Sequence, residues 1–476
     1  MNARLESVAP PAAQQGQALV LGMLLAATVS VALVMQYNLG RTVESRSRLT
    51  HAADAAAYSG ALEQARQLNF LAYVNRTQIA HQVAMAHLVT LGAAAQYMRT
   101  LAGQRNRNNP PAALIGMLFG PDTALAYLAA RGKPGAEADL ARAYAEHDRV
   151  VHRVLDKGAA SAVAGLPASR DRLMRAVLQD NYSQAGGGVG LAAFSRTDAA
   201  PSLRLLSDGW PGFIQRQAAT RRAGLRPAVE QAAARFGFLA RRNETRRNPW
   251  PVSMYCPILR HELRRRGSTW LGPDGRWGAL DTQSFHALRS NRWVGCYYRE
   301  YAMGWGTAQG QKSKAPPDLE YVEAPPEDFS SQDFWRWVEL STNWNIFDGA
   351  TNPMANSYAM AQVQRWPGLG LPGYREVALR RGAEPLRFAV AVSLAGNVLP
   401  TTDAASQVAA PAGRFRYAGL GDGGTLTVTS AAETYFARPD ARPDGRPELA
   451  TLFRPYWQAR LSAVTPAETL LARGGR

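Results

Sequence analysis

The stretch that decides the fold runs from Ala18 to Met35 and reads ALVLGMLLAATVSVALVM, 18 residues without a charge. As an α-helix it would be about 27 Å long, close to the hydrocarbon thickness of a bilayer. Tyr37 follows it at the position of an interfacial aromatic residue, and Arg41 ends the apolar run. The pattern predicts a transmembrane helix over residues 18–37, preceded by a short tail at 1–17. The residues expected to form the membrane anchor are Ala18, Leu19, Val20, Leu21, Leu24, Leu25, Val29, Val31, Leu33, Val34 and Met35.

Two other interpretations of this stretch are a cleaved signal peptide and a buried helix of a soluble protein. A signal peptide has an apolar region of 7 to 15 residues with a small-residue cleavage site soon after it. Here the run is longer, and the nearest small-x-small site, Ala53-Asp54-Ala55, lies far downstream. The composition therefore favours an anchor that stays attached.

The chain after the anchor has the composition of a long helix. No proline occurs between Pro11 and Pro110, and alanine, leucine and glutamine dominate, so a helical stalk over 38–109 is predicted. Small residues concentrate near its start and form a candidate packing seam, either against a partner helix or within the chain. The seam consists of Ala52, Ala53, Ala56, Ala57 and Gly60.

The block from Gly16 to Ala61 resembles the N-terminal segment of the TadG-like family of Flp (tight-adherence) pilus assembly. The shared pattern R-x-x-L-x-x-A-A-D-A-A-A begins here at Arg46 and Leu49. The resemblance implies a single-pass inner-membrane protein whose bulk is periplasmic. It implies a structural or assembly role rather than catalysis. Its partners would be membrane lipid, pilin-like or other pilus-assembly proteins, and further copies of the chain through the N-terminal helix.

Two features of that family are missing. Leu21 stands five residues after Gly16, where relatives of prepilin type carry glutamate, so prepilin processing is not expected. The metal-binding string D-x-S-x-S of the adhesive relatives does not occur either, so metal-dependent adhesion is not expected.

Charge and cysteine give opposite indications of orientation. Arg4 precedes the apolar run and Arg41, Arg46 and Arg48 follow it, so the positive-inside rule alone would place the rest of the chain in the cytoplasm. Cys256 and Cys296 are candidates for a disulfide if the chain lies outside, and otherwise for two buried thiols. The family resemblance favours the outside orientation.

The remaining chain divides by composition into a mainly helical region at 110–248 and an α+β domain with an antiparallel sheet at 249–476. Gly272-Pro273-Asp274-Gly275 has the composition of a hairpin turn, and Arg387–Gly396 and Gly424–Ala431 alternate as half-buried strands do. The predicted fold class is thus α+β, with one transmembrane helix continuing into a stalk.

The net charge of +17 is almost entirely due to arginine, since only four of the 54 basic residues are lysine. Residues 216–266 hold much of the excess. This stretch is either a basic face for an anionic partner or a solvated helix face whose arginine stems cover apolar surface. No nucleic-acid recognition motif accompanies it, so nucleic acid is not an expected partner.

Motifs for chemistry are weak. Gly186–Gly190 lacks the Gly-Lys-Ser/Thr of a phosphate loop, and the histidine and cysteine spacings do not match a zinc site, so no cofactor is expected. The most enzyme-like stretch, Asp318–Asp348, mixes carboxylates with Trp335 and Trp337, as glycan-cleaving sites do. A membrane-tethered envelope enzyme acting on glycan is therefore the alternative function, and an anchored binding module unrelated to pili is a third.

Overall fold

A single helix, α1, runs without a break from Gln15 to Asn106 in the computed structural model. Its 92 residues correspond to about 138 Å at a rise of 1.5 Å per residue. The absence of proline allows this length, and the helix ends in a turn with a left-handed residue at Asn108. The structure describes residues 15–183, 201–218, 224–291, 295–310, 354–378, 384–396, 424–446 and 448–473.

Shorter helices follow α1, and several of them pack beside it. A π-helical turn, Val150–Leu155, joins the fourth helix to the fifth and makes them one long element. The described helices after α1 are α2 (Ala112–Phe119), α3 (Pro121–Leu128), α4 (Ala136–Arg149), α5 (Asp156–Ser183), α6 (Leu225–Ala233), α7 (Met354–Ala361) and α8 (Pro466–Arg473).

The strands form three sheets. The first has the order β1-β9-β10-β11, the second pairs β2 with β8, and the third has the order β3-β4-β5-β6-β7. All described pairings are antiparallel except β6 with β7. The strands are β1 (Ser202–Asp208), β2 (Ile214–Gln217), β3 (Glu244–Arg247), β4 (Glu262–Leu271), β5 (Trp277–Asn291), β6 (Gly295–Gly310), β7 (Gln364–Trp366), β8 (Tyr374–Val377), β9 (Leu386–Ala395), β10 (Thr425–Phe436) and β11 (Trp457–Ser462).

The C-terminal two thirds of α1 form the centre of the folded body. Near its start, Ala53 packs against Phe388 of the first sheet in a continuous apolar cluster. Further along the helix, Ala93 lies in a cluster with Trp277 and Ala308 of the third sheet. Because both sheets use the same helix as their facing layer, α1 holds the body together.

The α+β class with antiparallel sheets is confirmed. The segments predicted at Arg387–Gly396 and Gly424–Ala431 are β9 and β10, which pair with each other. The predicted hairpin turn joins β4 to β5, where Gly275 has a φ of 75° and its N–H donates to the Gly272 carbonyl at 2.9 Å. Glycine suits this position because other residues rarely adopt a positive φ.

The boundaries drawn from composition do not coincide with breaks in packing. The expected stalk is a buried core element from Leu49 onward, not a free-standing spacer. The range 110–248 is helical up to Ser183, and the described residues after that point hold β1, β2, α6 and β3. Since β1 pairs with β9 and β3 with β4, the division at 248 cuts through both large sheets.

Candidate functional site: the membrane anchor and the polar clusters of the body

The anchor is the exposed N-terminal part of α1. Among the described residues it is the one helix long and apolar enough to cross a membrane, with a mean hydropathy of 2.5 in its most apolar window. Leu19 is 68 % exposed and Val34 41 %, although such side chains are normally buried. All residues of the expected anchor lie here, and they are exposed except Val31, which is half-buried.

The two hydroxyl groups inside the apolar stretch are satisfied within the helix. Thr28 donates to the carbonyl of Leu24 at 2.7 Å, and Ser30 donates to the carbonyl of Ala26 at 2.8 Å. A polar group in hydrocarbon needs such an internal partner, because no water is available there. The segment can therefore enter a bilayer without an unpaired hydroxyl.

A polar section of α1 separates the anchor from the body. Between Met35 and Leu49 the helix rises about 21 Å. Arg41 forms an ion pair with Glu44 at 2.6 Å, and Arg48 donates to the backbone carbonyl of Asn181 at 3.3 Å at the end of α5. Most of this section is exposed and suits the headgroup layer and the solvent just beyond it, but the side chain of Asn38 is fully buried.

The small-residue seam lies inside the body. Ala53, Ala56 and Ala57 have no exposed surface and pack with Phe388 in the first apolar cluster. A Cβ added at Gly60 would lie 2.8 Å from Met174 Sδ and 2.9 Å from the Phe388 ring. Of the two interpretations of the seam, the structure shows the intrachain one, because the chain's own sheet occupies the surface that a partner helix would need.

Buried amides on α1 bind the backbone of distant segments. The Asn75 side chain donates to the carbonyls of Arg375 and Leu452, each at 2.8 Å, and is only 1 % exposed. Gln96 accepts a hydrogen bond from the Thr307 N–H at 2.8 Å. These residues did not stand out in the sequence. The available signal was their recurrence on one face of the helix. Buried amides of this kind are nearly always hydrogen-bonded, so such a face can line a core.

Cys256 and Cys296 form a disulfide with an S–S distance of 2.04 Å. It joins the loop after β3 to the start of β6, beneath the apolar side chains of Leu288 and Tyr298. Such a bond persists in an oxidising compartment and is rare in the cytosol.

Ser284, His286 and Glu300 form a buried cluster that the sequence did not indicate. Their residue types are those of a catalytic triad. Ser284 Oγ lies 2.9 Å from His286 Nε2, and Glu300 Oε1 lies 3.7 Å from the same nitrogen. In a serine triad the acid contacts the opposite ring nitrogen, Nδ1, which here has no hydrogen-bond partner. All three side chains are buried, so this arrangement does not offer a nucleophile to a substrate.

The cluster instead holds the start of α7. The Glu300 carboxylate accepts hydrogen bonds from the N–H groups of Met354 at 2.8 Å and Ala355 at 3.1 Å. Burial raises the pKa of Glu300 to about 7, although these hydrogen bonds act to lower it. Burial lowers the pKa of His286 well below its usual value. The imidazole is therefore neutral near pH 7, and the cluster is a structural helix cap.

A groove of about 460 Å³ lies between α1 and α4. His81 and His147 face each other across it with their Nδ1 atoms 2.7 Å apart. Burial, and then the neighbouring His147, lowers the pKa of His81. One ring donates its Nδ1–H to the Nδ1 of the other, and the tautomers decide which ring is the donor. No group of three potential metal ligands occurs among the described residues.

The arginine-rich stretch 216–266 is spread over strands, loops and the short helix α6 rather than one helix face, and several of its guanidinium groups are paired. Arg242 and Arg265 both bind Asp281. Arg247 and Arg264 both bind Glu262, which is buried. The carboxylate and tryptophan stretch Asp318–Asp348, with the glycine run at Gly186–Gly190, lies outside the described residues.

Comparison of the chain with family models, with curated proteins and with solved structures gives no match in any of the three. The geometry of α1 is therefore the main observation on which a function can be based.

Proposed function

We propose that this protein is a single-pass protein of the bacterial inner membrane that acts as a structural or assembly factor of a Flp-type pilus or a related envelope secretion machine. The observation that carries the proposal is the continuity of α1, whose exposed apolar start and buried remainder are one helix. A displacement of the anchor in the membrane would therefore move the core of the body with it, as an assembly factor requires. The resemblance of Gly16–Ala61 to TadG-like proteins supports the assignment to pili.

The periplasmic orientation is supported by the disulfide. Cys256 and Cys296 lie on the C-terminal side of the anchor, and an oxidised pair indicates that this side faces an oxidising compartment. The three arginines after the apolar run favour the other orientation. We give the disulfide more weight, because long domains translocate largely regardless of the charges that flank the helix.

Association with other membrane helices would use the anchor itself, since the seam at 52–60 is buried. Ala18, Gly22, Ala26 and Ser30 recur every four residues on one face of the exposed helix. A Cβ built at Gly22 meets nothing within 4 Å. Small side chains at this spacing let another helix approach closely in a bilayer. This face is the proposed contact with pilin-like helices or with a second copy.

Topology is tested by fusing a reporter enzyme that is active only outside the cytoplasm to Arg476. The matched control carries a reporter that is active only in the cytoplasm at the same position. We expect the first fusion to be active and the second to be silent. The reverse pattern would refute the periplasmic orientation.

The pilus role is tested by deleting the gene in its source bacterium and counting surface pili by electron microscopy. We expect pili to be lost, and to return with the wild-type chain. A Gly22→Leu variant should insert normally but restore fewer pili, whereas Met23→Leu, one position away, should restore them fully. Normal pili in the deletion strain would refute the role.

A further inference from the structure

A loop at residues 249–260, here called the distal loop, exposes apolar side chains to an unusual degree. Met254 is 96 % exposed, and Tyr255 and Ile258 are each 87 % exposed. Isolated apolar residues on a surface are common, but three almost fully exposed apolar side chains within five residues form a contiguous patch. Such patches mark binding surfaces in soluble domains.

The distal loop is held in one shape by its own contacts. Cys256 is bonded to Cys296 and is 2 % exposed, and Val252 and Leu259 pack into the same small apolar cluster. The Ser253 hydroxyl donates to Ser290 Oγ at 3.2 Å, which ties the loop to β5. The loop thus turns some apolar residues inward as a base and presents the others outward. A surface fixed in this way loses little entropy when it binds.

The loop lies at the end of the body farthest from the membrane. Trp277 of β5 packs near Val89, and Phe285 packs near Leu101, so β5 advances along α1 toward the helix C-terminus. Leu288, which supports the loop, is further along the same strand. The loop therefore lies beyond residue 101. This is about 100 Å along the helix from Met35, at 1.5 Å per residue. The bilayer that holds the anchor is out of its reach.

The charge around the distal loop is positive. Arg289 is exposed, and the side chain of Arg247 is 71 % exposed although it pairs with Glu262. The two carboxylates of the adjoining strands, Glu262 and Glu300, are buried and already accept hydrogen bonds. No exposed carboxylate occurs at 245–264 or in the described part of 286–300.

We propose that the distal loop docks a protein partner whose surface places acidic side chains around an apolar pocket. Methionine, tyrosine and arginine are the residue types enriched at the centre of protein interfaces. Arginine also recognises carboxylates in pairs of hydrogen bonds. A bilayer is disfavoured because the distal loop lies about 100 Å along α1 from Met35. The proposal concerns the body alone and goes beyond the assembly role.

The test uses the full chain in nanodiscs of neutral lipid and a displayed library of random 12-residue peptides. We expect selected peptides to combine aspartate or glutamate with a large apolar residue. Affinity for a selected peptide, measured by fluorescence anisotropy, should fall at least about tenfold in the variant Met254→Ser/Tyr255→Ser/Ile258→Ser, since buried interface anchors carry most binding energy. The control replaces three other exposed apolar residues, Met117, Leu369 and Leu449, with serine and should bind normally.

The single variant Tyr255→Ser and a urea titration of every variant exclude loss of fold as the cause. Arg289→Gln should weaken binding, and added salt should weaken it further. Selected peptides without acidic residues would overturn the proposal, as would unchanged affinity in the triple variant. Binding of the chain to phosphatidylglycerol vesicles that depends on the same three residues would overturn it in favour of a membrane. These readouts are independent of the pilus count.

Discussion

Gly306 on β6 is where the third sheet presses most closely on α1. A Cβ added there would lie 2.0 Å from the Ala93 carbonyl oxygen and 2.6 Å from the Tyr97 nitrogen. Both atoms belong to the helix backbone, so no side-chain rotation relieves the clash. Gly306 does not have a positive φ, so its backbone conformation suits alanine as well. The cost of Gly306→Ala therefore comes from the steric contact with the helix backbone.

The cost of Gly306→Ala can be worked from the neighbouring contacts. The sheet must move away from the helix by roughly 1 Å to restore ordinary separation. That movement weakens the hydrogen bonds of Thr307 N–H with Gln96 and of Trp305 N–H with Thr100, both 2.8 Å long. Hydrogen bonds worth about 1 kcal/mol each and an overpacking cost of about 1–3 kcal/mol give about 3–5 kcal/mol.

The assay is urea unfolding of the full chain in nanodiscs with the disulfide intact, followed by tryptophan fluorescence. With a denaturant slope of about 3 kcal/mol/M, the midpoint of Gly306→Ala should fall by about 1–1.7 M. The control is Gly103→Ala on α1, where an added Cβ meets nothing within 4 Å. It should unfold at the wild-type midpoint or slightly above it, because alanine favours the helix. Equal midpoints for Gly306→Ala and wild type would refute the close packing of sheet on helix.

Three further predictions use the same unfolding assay. Asn75→Ala leaves two buried carbonyls without a donor and should lower the free energy of unfolding by about 2–4 kcal/mol, and an unchanged midpoint would contradict the proposed bonds. Hydrogen bonding to Arg387 lowers the pKa of Glu468 to about 2 from its usual 4.5, so this carboxylate stabilises the fold fully above pH 4.5 and loses the effect as pH falls to about 2. Glu468→Gln should therefore be less stable at pH 7 and show a flatter pH dependence between 4.5 and 2, and a dependence equal to that of wild type would reject this assignment. Replacing Cys256 and Cys296 with serine should cost roughly 4 kcal/mol, and reductant should bring the wild type to the same midpoint but leave the variant unchanged.

Local patterns predicted the elements that depend on local chemistry. The long helix followed from the lack of proline, and the hairpin turn followed from Gly272–Gly275. Alternation of apolar residues located β9 and β10. In each case the residues that carry the signal are neighbours in the chain, so propensity and periodicity were sufficient.

Features that depend on distant pairing could not be predicted. β1 is recognisable only through β9, since Ser202 pairs with Ser393, nearly 200 residues later. The small-residue seam is compatible with packing against either a partner helix or the chain's own sheet. The local pattern of small residues is the same in both cases and does not distinguish them. The same holds for Asn75, whose hydrogen-bond partners lie 300 or more residues away.

The most direct test of the central claim is the distance between spin labels on Val43 and Tyr73, measured by pulsed electron resonance on the full chain in nanodiscs. Both side chains are exposed, at 59 % and 55 %, and Val43 lies between the anchor and the body while Tyr73 lies within the body. Both native cysteines are in the disulfide, so cysteines introduced at 43 and 73 are labelled selectively. One continuous helix predicts a single narrow distance of about 45 Å. A clearly shorter or broad distribution would show that the anchor and the core are separate elements.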